Sequence, residues 1–143
     1  MRLLLDTHTF IRTRCLGLPQ AREMSVWFVT DSPRISVTAK TLIEDEYNRK
    51  LLSIASVWEM AIKHSVGKLS FELPFMSFIE SQIQQNSMEL LNIKIEHLEV
   101  IANLPLHHRD PFDRLIVAQA TVEQIPIVGI DRAFDSYLVQ RLW

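Results

Sequence analysis

Four acidic residues, Asp6, Glu59, Asp113 and Asp131, stand where apolar segments of this chain give way to helical ones. Carboxylates in such places do chemistry when they meet. In an open parallel α/β sheet, strand carboxyl ends and the N-termini of the crossover helices share one edge, so acids far apart in sequence can converge there. Four like charges in one spot repel, and a divalent cation is the usual relief. An oxygen-rich cluster suits Mg²⁺ or Mn²⁺, hard ions that prefer carboxylates and water. Such an ion can activate a water for in-line attack on a phosphodiester and stabilise charge on the phosphorane oxygens. Convergence of the four acids would imply a metal-dependent hydrolase of phosphate esters.

Each acid also has a structural reading. Asp6, ahead of Thr7 and His8, suits a helix N-cap; as a metal ligand it would have the Thr7 hydroxyl bonding to a carboxylate or a metal-bound water. Glu59 fits a capping box opened by Ser56 and precedes Lys63 by four residues, a favourable helical ion pair. Asp110 reads as an N-cap and Pro111 as the first helical residue, so Asp113 is not needed for capping. The helix buries Phe112, Leu115, Ile116 and Gln119, which directs Asp113 elsewhere. Asp131 would cap a helix containing Phe134.

Other chemistries find less support. His8, His97, His107 and His108 have no nucleophile partner of the Ser-His-Asp or Cys-His kind. His107 and His108 read as solvated loop residues, because no cysteine or spaced third ligand accompanies them. Three glycines are too few for a glycine-rich phosphate loop. A phosphatase with its nucleophilic Asp at the end of strand one wants a second Asp two residues later, where this chain has His8.

The elements that must position the acids follow from patterning. Arg2–Leu5 is a short apolar run stopped by Asp6, as in a buried parallel strand. Further strands are expected over 51–55, 89–93 and 125–130, with an edge strand over 139–143. Helices are expected from Thr9 onward, after Pro33 and Ser36, over 56–66 closed by Gly67, and over 75–85, 96–103 and 111–122. Leu69, Phe71 and Leu73 alternate in an extended stretch before Pro74. Strands alternating with helices predict a doubly wound parallel α/β sheet.

The 143 residues make one domain, and 48% hydrophobic with 22% charged residues is an ordinary globular composition. A single cysteine, Cys15, allows no internal disulfide and fits a reducing cytoplasm, and no stretch approaches membrane-span length. The net charge of −2 does not advertise nucleic-acid binding, yet Lys63, Arg109 and Arg114 gather near the acids.

Three separated segments carry a resemblance. Leu4-Leu5-Asp6-Thr7-His8-Thr9-Phe10, Ser53-Ile54-Ala55-Ser56-Val57-Trp58-Glu59-Met60-Ala61-Ile62-Lys63 and Leu106-His107-His108-Arg109-Asp110-Pro111-Phe112-Asp113-Arg114 closely resemble the PIN-domain ribonucleases. Within them, the chain is similar to VapC-type toxins of type II toxin–antitoxin modules. The resemblance implies a parallel sheet ordered 3-2-1-4-5 and Mg²⁺- or Mn²⁺-dependent cleavage of RNA. It also implies homodimers and inhibition by a cognate antitoxin. Carried over by position, Asp6, Glu59, Asp113 and Asp131 hold the metal, with Thr7 and Asp110 in support. Lys63, Arg109 and Arg114 would hold RNA phosphates or orient carboxylates. Met76, Phe75, Phe78 and Ile79 carry apolar surface for the core, an antitoxin groove or a dimer face. The chain departs from the family at about 12–26, which reads as an insertion within one PIN domain over 1–143. That insertion motivates an alternative, a degenerate domain that binds RNA or a partner without cutting.

Overall fold

A computed structural model describes residues 1–13 and 35–143; the inserted segment expected at about 12–26, and the helix start expected at Pro33, fall largely outside the described residues. Strand β1 (Arg2–Leu5) leads directly into helix α1 (Thr7–Thr13). After α2 (Val37–Glu44) come β2 (Arg49–Ser53), α3 (Ile54–Ser65), α4 (Phe75–Gln85) and β3 (Met88–Leu91). The chain continues through α5 (Ile95–Asn103), α6 (Pro111–Glu123), β4 (Ile127–Val128), a 3₁₀ turn over Arg132–Ser136 and β5 (Arg141–Leu142).

All four strand pairings are parallel, and the order is β3-β2-β1-β4-β5. This is the predicted topology. β1 is central, with Leu4 opposite Leu51 on one side and Ile127 on the other. Period-two alternation sends Leu3 and Leu5 to one face and Leu4 to the other. Leu3 and Leu5 pack with Phe10, Leu52, Met60 and Phe78. Leu4 packs with Leu51, Ile116, Val117, Ile127 and Phe134 on the opposite face. Both faces are covered by helices, as a parallel sheet requires.

The second strand differs from expectation. It spans Arg49–Ser53 rather than 51–55, because the Ser53 hydroxyl accepts from the Ala55 N–H at 3.0 Å and starts α3 at once. Ser56 is therefore a buried residue inside α3, and the capping box predicted between it and Glu59 does not form. The stretch around Leu69, Phe71 and Leu73 is made of turns and bends rather than strand. Phe71 instead stacks on Phe78, with centroids 4.1 Å apart. On α4, Phe78 and Ile79 enter the core while Met76 stays exposed. No helix among the described residues is long and apolar enough to cross a membrane.

Candidate metal centre

Asp6 is the first residue past the central strand. It is buried, and its Oδ1 accepts from the Thr9 N–H at 2.6 Å, so it caps α1 as well as facing the sheet edge. Its place depends on a residue that sequence reading passed over. A Cβ added to Gly129 would lie 2.7 Å from Asp6 Oδ2 and 3.0 Å from its Cγ, so only glycine leaves room for this carboxylate. The signal available was a lone glycine at a strand end, which often marks a close approach.

Asp113 arrives from the first turn of α6. Asp110 is the N-cap, accepting from the Phe112 N–H at 2.8 Å, and Pro111 follows it as expected. The Asp113 carboxyl is pushed up to about 7, first by burial, then by the Asp110 charge, with Glu59 and Asp6 adding to the effect and His108 opposing it. Three neighbouring acids thus act on one carboxyl. Glu59 is buried on α3, a helix packed against both α1 and α6, and takes the Lys63 ammonium at 2.6 Å.

Asp131 caps the 3₁₀ turn, its Oδ1 accepting from the Ala133 N–H at 2.9 Å. Burial pushes its carboxyl up, but that bond, the His108 hydrogen bond and the nearby imidazoles of His108 and His8 leave it below its ordinary value. Asp6, Asp113 and Asp131 line one open pocket with His8, Ile130 and Arg132. Two of these, Asp113 and Asp131, together with His108 each offer a potential ligand atom, all within 4.8 Å of one another.

The sequence profile of the PIN domain matches residues 24–137, most of the chain. The chain belongs to the PIN domain family. The match begins past β1 and takes in Glu59, Asp113 and Asp131. The PIN fold is shared with the crystal structure of VapBC2 from Rickettsia felis bound to a DNA fragment from their promoter, at a TM-score of 0.63 and 12% identity over 100% of both chains. None of the curated proteins matches.

The donors of this PIN domain fit a hard divalent cation. They are carboxylate oxygens, with the His108 imidazole beside them engaged by Asp131, and the crowding that lifts the Asp113 carboxyl is what a bound cation would relieve. The cationic side chains divide in a way the sequence did not foretell. Lys63 is engaged with Glu59, so of its two expected roles the geometry favours orienting a carboxylate. Arg114 is turned away from phosphate binding: its guanidinium donates to the carbonyls of Ile101, Leu104 and Pro105, tying off the C-terminus of α5. Arg109 lies exposed beside Asp110. Arg132, which follows Asp131 directly, lines the pocket and was missed.

Thr7 also departs from expectation. Its hydroxyl donates to Ser56 Oγ at 3.0 Å rather than to a carboxylate, and so ties α1 to α3 beneath the acids. His108 is not a solvated loop residue. It is buried, its backbone N–H donates to the Tyr137 hydroxyl at 2.8 Å, and its ring packs between Tyr137 and Phe134. No local pattern announces this, because both partners lie on a turn far along the chain. His107, by contrast, is exposed as expected.

Proposed function

We propose that this PIN domain is an Mg²⁺- or Mn²⁺-dependent endoribonuclease and the toxin of a VapBC-type toxin–antitoxin pair. The single observation that carries the reading is the crowding of carboxylates around Asp113, whose carboxyl is pushed up to about 7 by burial beside Asp110, Glu59 and Asp6. Asp6, Glu59, Asp113 and Asp131 would hold the ion, Asp6 just past β1, Glu59 within α3, Asp113 in the first turn of α6 and Asp131 after β4. When bound, the ion would supply charge neutralisation at these acids and polarisation of a water and of the scissile phosphate.

The chain's own residues prepare that site. The Thr9 N–H fixes Asp6, Lys63 orients Glu59, and Asp110 caps the helix that delivers Asp113. Arg132 and His8 line the pocket and Arg109 is exposed beside Asp110, side chains that would offer RNA phosphates cationic or polar contacts. The whole of 1–143 acts as one domain, carrying an added segment at about 12–26. The same reading has the protein working in the cytoplasm, pairing as a homodimer and restrained by an antitoxin.

Purified protein, Mn²⁺ and a labelled RNA test the reading. Cleavage is expected for the native chain, with loss of cleavage in Asp6→Asn at unchanged fold. RNA binding with no cleavage at any Mn²⁺ concentration would instead favour the degenerate domain.

A further inference from the structure

We propose that Tyr137 and His108 form a hydrogen-bonded chain that orients Asp131, which makes His108 a positioning residue for the fourth carboxylate of the acid cluster. The proposal rests on the metal-dependent reading above. His108 Nε2 lies 3.0 Å from Asp131 Oδ2. A carboxylate only accepts, so Nε2 carries the proton. Nδ1 is then an acceptor, 3.3 Å from the Tyr137 hydroxyl, which supplies its O–H. The same hydroxyl oxygen accepts the His108 backbone N–H at 2.8 Å. Both ring nitrogens are thereby committed.

The direction of control follows from which partner is fixed. The imidazole is 7% exposed, lies parallel to the Tyr137 ring at 5.5 Å and 7°, and touches Phe134 at 4.9 Å. The Asp131 side chain is 48% exposed. Its only other described anchor is the cap bond from the Ala133 N–H to Oδ1. Removing the imidazole leaves a half-exposed carboxylate on a single bond, free to rotate into solvent. With it, Asp131 is held facing Asp113, the third member of the group whose ligand atoms lie within 4.8 Å. Partners that orient a ligating carboxylate typically account for a 10- to 100-fold effect on metal affinity.

Mn²⁺ binding to the RNA-free protein, read by electron paramagnetic resonance of the free ion, tests this. His108→Leu is expected to weaken Mn²⁺ binding about 10- to 100-fold. His108→Gln, whose amide can donate to the same oxygen, is expected to recover most of the loss. Asp131→Asn should match His108→Leu, and the double variant should be no weaker than either. Multiplying losses in the double variant, or native affinity in both His108→Leu and Tyr137→Phe, would overturn the proposal. Tyr137→Phe keeps the aromatic stack and carries the test should His108→Leu not fold. In metal-free protein, imidazole ¹⁵N resonances separate this proposal from the reading beneath it. A protonated Nε2 that shifts on Asp131→Asn supports the chain, and a protonated Nδ1 overturns it. A native protein that binds no Mn²⁺ overturns the metal reading instead, and the tautomer still decides the chain.

Discussion

Gly129 shows how a single hydrogen atom in place of a methyl shapes the site. Alanine there would set its Cβ 2.7 Å from Asp6 Oδ2, with Phe134 at 3.3 Å blocking retreat to the other side. Gly129→Ala is expected to lower stability by about 1–3 kcal/mol through overpacking, and to weaken Mn²⁺ binding as Asp6 is displaced. Urea denaturation and Mn²⁺ titration of the same variant measure the two effects. Asp113 makes the opposite kind of prediction. Burial pushes its folded-state carboxyl up to about 7, above the ordinary 3.8, so the folded metal-free protein binds an extra proton between those values. The sign follows from linkage: this contribution to stability is complete below 3.8 and is lost as pH rises through 7. Asp113→Asn should therefore stabilise the metal-free protein at pH 8, by on the order of 1–2 kcal/mol. Equal urea midpoints for variant and native chain in a chelator at that pH would refute it. Asp6, Asp113 and Asp131, which line one pocket, stood out in the sequence as acids at element boundaries, whereas Glu59 lies within α3. Gly129, His108 and Arg132 were not legible, since what matters about each is a neighbour distant in sequence.

At the scale of elements, helix α6 and the loop before it show where local pattern suffices. Asp110 as N-cap and Pro111 in the first turn were readable from the dipeptide, and both sit as read. Helix α3 shows where it fails. Ser53 and Ser56 are both competent caps, and the choice depends on β2, whose Ser53 still pairs with Leu91 of β3. Register with a neighbouring strand outweighs the capping box. Arg114 likewise finds partners that no local pattern announces, the carbonyls that end α5. Arg114→Gln is expected to destabilise the fold by about 1–3 kcal/mol, because backbone acceptors lose a charged donor. It should leave the salt dependence of RNA binding unchanged, whereas Arg132→Gln should make the slope shallower. A matching change in slope for Arg114→Gln would restore it to the phosphate-binding set.

For the whole molecule, the parallel doubly wound class was legible from the alternation of apolar runs and helical spacing, whereas the order 3-2-1-4-5 came from the resemblance to the PIN-domain ribonucleases. Strand lengths were not legible. Only Ile127–Val128 of the expected 125–130 pair, because β1 turns into α1 after Leu5 and β5 offers only Arg141 and Leu142. The proposed ligands come from the end of β1, from α3 and α6 and from the turn after β4, so an ion bound by them would fasten elements from both halves of the chain. Because the unfolded chain has no such site, Mn²⁺ at about 100 times its Kd should add roughly 2.7 kcal/mol of stability. Calorimetric scans should show a rise of several degrees with Mn²⁺, reversed by a chelator and missing in Asp6→Asn.

The same dispersal has a consequence during synthesis. Gly129, the residue that makes room for Asp6, is itself pinned by its N–H to the Leu142 carbonyl at 3.2 Å. A chain emerging residue by residue has Asp6 early, while the carbonyl that holds Gly129 beside it arrives only with residue 142. The pocket that Asp6 shares with Asp113 and Asp131 is therefore completed by contacts that form late along the chain.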